Sequence, residues 1–140
     1  MATSQQTFSV STAADADWQP GLRRFFEYRD LGVKEATQGT FKAHVLRFKP
    51  GTGDTLRATG SHFHELDFQM IYVLKGWIKF VYEGHGEHTF NAGDCALQPA
   101  GIVHDEIQCS DDVEVLEVTS PGDYATHAVS EPIEQRQEQS

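Results

Sequence analysis

The sequence predicts an all-β domain, a sandwich or a closed barrel, and three observations carry that expectation. Short runs rich in Val, Ile, Phe and Tyr recur between Gly, Pro and Asp punctuation. The 3.6-residue apolar period of an amphipathic helix is hard to find anywhere along the chain. Turn signals fall at short intervals, at Lys75-Gly76, Glu83-Gly84-His85-Gly86, Asn91-Ala92-Gly93-Asp94, Pro99-Ala100-Gly101 and Ser110-Asp111-Asp112, so each apolar run has the length of a strand.

Taken in order, residues 1–20 read as an N-terminal arm, polar at its start and partly flexible. The segment from Trp18 to Phe41 is mixed, and its pairing is open between this barrel and a neighbouring subunit. Residues 21–125 form the expected barrel domain. Its strands are Phe25 to Tyr28, Phe41 to Phe48, Gln69 to Leu74, Trp77 to Tyr82, His88 to Phe90, Cys95 to Gln98, Ile102 to Cys109 and Val113 to Val118, with a further turn at Pro50 to Gly53. Residues 126–140, ending in EPIEQRQEQS, read as a polar tail with few apolar anchors.

At 140 residues the chain has the length of one domain, and 39% apolar residues with nine phenylalanines describe an aromatic-rich interior. A net charge of -10 without any Lys/Arg-rich run removes the electrostatic attraction on which nucleic-acid and anionic-membrane binding rest. The first ten residues lack the basic and apolar regions of a secretory signal, and no stretch approaches the roughly 18 apolar residues of a spanning helix, so a cytoplasmic location is expected. Cys95 and Cys109 are then expected to be free thiols in the core.

The chemistry concentrates in GSHFHELDFQMIYVLKG, from Gly60 to Gly76. Side chains at i and i+2 of a strand point to one face, roughly 6.5 Å apart along the chain, so His62 and His64 can both reach one ion. Gln69 lies five residues beyond His64, an odd step that aims it at the opposite face of a continuous strand. For it to join the histidines, the chain has to shift register between Glu65 and Phe68, through a bulge or a turn. Gln69, Ile71 and Val73 then share one face and Met70, Tyr72 and Leu74 the other, as in a strand covered on both sides. A second polar island, Gly93 to Gln108, brings His104 three residues after the Pro99–Gly101 turn. Three neutral imidazoles and a fourth oxygen suit a divalent transition metal such as zinc, nickel, iron or manganese, with a position left for solvent or substrate.

These residues resemble the two motifs of the cupin superfamily. The first, HxH, four residues, usually glutamate, six residues, glycine, is matched by His62, His64, Gln69 and Gly76. The second, glycine, five residues, PxG, two residues, histidine, three residues, usually asparagine, is matched by Gly93, Pro99, Gly101 and His104, with Gln108 in the asparagine position. The resemblance spans roughly Phe41 to Val118 and implies a single jelly-roll barrel, the double-stranded β-helix, with one metal inside, often as a homodimer. It also implies a small-molecule substrate.

Gln69 departs from the pattern by exchanging an anionic ligand for a neutral amide oxygen, so a divalent ion keeps its full charge, which favours Lewis-acid work and disfavours an oxidised iron. Three-histidine, one-glutamine sites are familiar in cupins resembling polyketide cyclases and unsaturated-uronate ring-opening enzymes. The expected function is therefore a metal-dependent enzyme acting on a small oxygenated substrate by isomerisation, cyclisation or ring opening. A dioxygenase and a non-catalytic sensing module are the alternatives. Glu106 shares the strand parity of His104 and is the candidate general acid or base, the plain alternative being an exposed strand residue. His44 reads as a satisfied core or rim histidine, and His85, His88 and His127 as solvated.

Overall fold

The computed structural model describes residues 5–20, 25–49, 60–130 and 133. The expected turn from Pro50 to Gly53, the first four residues of the arm and nearly all of the acidic tail after Ser130 lie outside these residues. Among the described residues, eleven strands, the short helix α1 and a 3-10 turn at Ala13–Asp15 make up the elements that position the site. They are β1 (Trp18–Pro20), β2 (Phe26–Asp30), α1 (Val33–Ala36), β3 (Lys42–Phe48), β4 (His62–His64), β5 (Phe68–Lys75), β6 (Trp77–Tyr82), β7 (Gly86–Asn91), β8 (Cys95–Leu97), β9 (His104–Cys109), β10 (Glu114–Ser120) and β11 (Thr126–Ala128).

All pairings are antiparallel and build two sheets, one ordered β1-β2-β3-β10-β5-β8 and the other β11-β4-β9-β6-β7. Packed face to face, they form the jelly-roll barrel. No helix among the described residues is long and apolar enough to cross a membrane.

Alternation explains where the core sits. On β6 the pattern is strict, with Ile78, Phe80 and Tyr82 buried and Trp77, Lys79 and Val81 half-buried. Ile71 and Val73 from β5, Leu46 and Phe48 from β3, Val113 and Val115 around the start of β10 and Phe26 from β2 complete one cluster. Burying a side chain of this size contributes about 1.5–3 kcal/mol, so the cluster supplies the main driving force and fixes the register of every strand that enters it.

Pairing extends beyond the expected limits of the barrel at both ends. Trp18 to Pro20 align with Arg29 to Glu27, and the Arg47 guanidinium stacks 3.9 Å over the Trp18 ring. Thr126 to Ala128 align with His64 to His62, which places β11 at the edge of the sheet that carries the histidines.

The odd step to Gln69 falls between Glu65 and Phe68, as expected, and takes the form of a change of sheet, because β4 belongs to the five-stranded sheet and β5 to the six-stranded one. Leu66 is buried at this crossing, and the amides of Glu65 and Asp67 donate to Ala125 O and Ser120 O. Two other expectations are corrected. The outer face of β5 is not covered within the chain, where Tyr72 and Leu74 are 39% and 46% exposed. Cys95 is exposed on β8 rather than in the core, while Cys109 packs at the core margin, and both thiols are free.

Candidate metal centre

Two strands of one sheet bring the histidines together. His62 on β4 is the Cα partner of His104 on β9, and His64 stands two residues along β4 on the same face. One ring nitrogen from each of His62, His64 and His104 lies within 4.8 Å of the other two. Ring centroids are 4.4 Å apart for His62 and His104, 5.0 Å for His62 and His64, and 5.1 Å for His64 and His104. His62 and His104 are buried and His64 is partly exposed, so the cluster has one wet side.

The other nitrogen of each ring is engaged by the protein. Nδ1 of His62 lies 2.6 Å from Gly60 O and Nδ1 of His104 lies 3.1 Å from Ile102 O. A carbonyl oxygen can only accept, so both Nδ1 atoms carry the proton and Nε2 presents the lone pair. His64 Nδ1 pairs with Thr126 Oγ1 at 2.8 Å across β4 and β11. Such contacts fix ring orientation and tautomer, as in known metal sites. Gly60 is itself fixed by a bond from its amide to Asp105 Oδ1 on β9, at 3.0 Å.

Electrostatics favour the neutral imidazole. Burial, with His62 beside it, lowers the His104 pKa to about 4, against smaller opposing effects from the Ile102 carbonyl and Glu117. Near neutral pH this ring is a neutral imidazole, with Nε2 free of a proton, without any help from a metal. The donor set therefore fits a divalent transition metal, with three imidazoles oriented from behind and converging on one point.

Gln69 is 3% exposed on the inward face of β5, with Ile71 and Val73 following on that face. Its Nε2 donates to Glu117 Oε2 at 2.6 Å, which fixes which end of the amide points where. Glu117 Oε1 meets His44 Nε2 at 2.6 Å. Desolvation raises the Glu117 pKa, but the His44 bond and charge and the Gln69 amide outweigh it and hold the carboxyl below its ordinary range. His44 is thus buried and satisfied by Glu117, with Tyr28 against its ring at 5.2 Å.

Glu106 faces inward, because its Cα partner is the buried Phe80. It is half-buried and close enough to raise the pKa values of Tyr82 and Tyr124. A register shift opposite Lys79 and Phe80 turns the following residues, and Gln108 is exposed on the outer side. His85 and His88 are exposed and bonded to each other through His88 Nε2 and His85 O at 2.9 Å, and His127 pairs with Glu65 at 3.2 Å.

Sequence reasoning missed four residues here. Glu117 and Thr119 share odd-numbered parity with the buried Val113 and Val115, a signal that places both inward. Thr119 is the Cα partner of Gln69, and its hydroxyl is buried without a hydrogen-bond partner among the described residues. Tyr124 lies against His64 with ring centroids 5.3 Å apart. Burial, followed by the charges of Glu117 and Glu106, raises its pKa, so its phenol keeps its proton. Thr126, in the expected tail, left no chemical signature in the sequence.

The cupin-domain family model matches residues 44–119. No curated protein matches the sequence. Among solved structures, the chain is similar to KdgF from Halomonas sp., with a TM-score of 0.66 and 23% identity over 82% of this chain and 94% of that one. It is similar to the polyketide cyclase RemF from Streptomyces resistomycificus, with a TM-score of 0.71 and 20% identity over 94% of each chain. It is also similar to salicylate 1,2-dioxygenase from Pseudoaminobacter salicylatoxidans, with a TM-score of 0.61 and 11% identity over 81% of this chain and 31% of that one.

Proposed function

This chain belongs to the cupin-domain family, and from that premise we propose that it is a metal-dependent enzyme working on a small oxygenated substrate without redox turnover. The observation that carries this reading is the oriented trio of His62, His64 and His104, and the reading takes with it the amide Gln69 at the motif position where a carboxylate is usual. Gln69 Oε1 is the fourth ligand in this reading. A divalent ion held by these four residues supplies Lewis acidity toward a substrate oxygen.

The chain's own residues divide the remaining work. Tyr124 keeps its proton beside His64 and donates a hydrogen bond to a substrate oxygen. Glu106, on the inward face of β9, is the group that moves a proton to or from substrate carbon or oxygen. Glu117 is occupied by two partners and is not assigned that role.

The test is the metal content of protein purified without supplementation, together with oxygen uptake over a panel of enolisable and phenolic compounds. Stoichiometric zinc or nickel, with turnover of a carbonyl substrate and no oxygen consumption, is expected. Iron with stoichiometric oxygen uptake would overturn the proposal in favour of a dioxygenase, and substrate-dependent stabilisation without turnover would favour a sensing module.

A further inference from the structure

The three histidines do not by themselves account for Glu117. This carboxylate sits on β10, in the middle of the six-stranded sheet, with His44 on β3 and Ile71 on β5 as its Cα partners. Val115, two residues before it on the same face, is 1% exposed. A carboxylate whose side chain is only 14% exposed is costly in such surroundings unless hydrogen-bonded, and here both oxygens are used, one by His44 and one by Gln69, each at 2.6 Å. Its charge acts on His104, and that of His64 acts on it, so it lies within electrostatic reach of the histidine cluster.

The direction of the Gln69 bond is informative. Only the NH2 end of an amide can donate to a carboxylate, so Oε1 is turned away from Glu117. A glutamate at position 69 in the same rotamer would set two carboxylate oxygens 2.6 Å apart. Like charges at that distance cannot both persist in a buried site.

We propose that Glu117 is a positioning residue of the metal centre: it dictates an amide at position 69, turns Gln69 Oε1 toward His62, His64 and His104, and provides a negative charge one hydrogen bond behind that oxygen. His44 braces the carboxylate from the far side. The proposal deepens the reading of Gln69 as fourth ligand and rests on it. The charge that a carboxylate ligand would carry is displaced by one residue, and the atom facing the ion remains a neutral oxygen.

A charge-exchange cycle tests it, using wild type, Gln69→Glu, Glu117→Gln, the double variant and Gln69→Ala. Thermal unfolding is measured on the metal-free proteins, and zinc affinity is measured by chelator competition. Gln69→Glu is expected to lower the metal-free Tm by several degrees at neutral pH, and the double variant to recover most of the loss. Glu117→Gln is expected to weaken zinc binding about 10-fold or more, with the double variant restored to wild-type affinity or better. The rescue is the outcome that a merely structural role for Glu117 does not produce. Gln69→Glu as stable as wild type, or Glu117→Gln binding zinc as tightly as wild type while Gln69→Ala binds it weakly, would overturn the positioning role and leave the ligand assignment standing. Gln69→Ala binding zinc as wild type does would overturn the ligand assignment itself.

Discussion

His62 and His104 are Cα partners across the β4–β9 pair, with their rings 4.4 Å apart. Backbone register alone therefore sets two members of the histidine cluster opposite each other, and the two-residue period of β4 adds His64 on the same face. Loss of one of three imidazoles leaves a divalent ion with too few donors to compete with a chelator. His64→Ala is expected to abolish metal retention through purification, while its partly exposed position keeps the cost to the metal-free fold small. Elemental analysis beside circular dichroism checks both halves, and an unchanged metal content would show that the ligand set is wrong.

His104 makes the metal-free protein sensitive to acid. Its folded pKa of about 4 lies below the ordinary value of 6.5, chiefly through burial and then through His62. Above pH 6.5 the ring is neutral whether folded or unfolded and contributes nothing to the pH dependence. As pH falls from 6.5 toward 4, the unfolded chain takes up a proton that the folded chain refuses, and stability drops by up to roughly 3 kcal/mol. Metal-free unfolding midpoints measured from pH 8 to pH 4 are expected to decline through this window. His104→Gln, which has no proton to gain, is expected to show a shallower decline.

Sequence reading located all eight of its expected strands, β2, β3 and β5 to β10, within two residues at each end, because their apolar or β-branched runs are bounded by turn residues. Three short strands were not among its expected elements. β1 and β11 are edge strands of three residues held by pairing rather than by an apolar face, and β4 is His-Phe-His, which carries a ligand pattern in place of a strand pattern. For β4 and β11 local sequence does not encode the pairing, because the partner residues lie far away along the chain. The histidines were legible because HxH and the PxG-histidine frame are local. Glu117 was not: parity marks it as inward, yet β10 is apolar on both faces at Val115, Leu116 and Val118, so either parity fits a core strand. Its meaning came from His44 and Gln69, which lie 73 and 48 residues away.

Thr126 supports a ligand from the edge strand. Its hydroxyl pairs with His64 Nδ1 at 2.8 Å, and this is the contact that orients the most exposed of the three rings. Thr126→Val keeps the β-branched shape that β11 accommodates and removes only the hydrogen bond. Metal affinity is expected to fall about 10-fold, within the range seen when a supporting contact to a metal histidine is removed, with the unfolding midpoint of the metal-free protein nearly unchanged. Chelator competition reads the first effect and thermal unfolding the second. Equal losses in both would show that β11 matters for pairing rather than for the ring.

Gly76, one of the residues matching the first cupin motif, bears on folding rather than chemistry. It closes the β5–β6 turn at φ +69°, and an added Cβ would lie 2.2 Å from Ser110 Oγ, 2.6 Å from Asp112 Oδ1 and 3.0 Å from Val113 Cα. The first two atoms can swing aside, although Ser110 Oγ accepts from the Trp77 amide and would lose that bond. The third is backbone, next to a side chain with no exposed surface at the head of β10, and it can move only by displacing core. Gly84 provides the control, since at φ +82° it has nothing within 4 Å of its added Cβ. Gly84→Ala is expected to cost about 1–2 kcal/mol, the left-handed backbone penalty alone. Gly76→Ala adds steric displacement to that penalty and is expected to cost about 3 kcal/mol or more, enough to lower soluble yield. Urea unfolding of the two variants side by side separates the contributions, and equal midpoints would show that Val113 yields without cost.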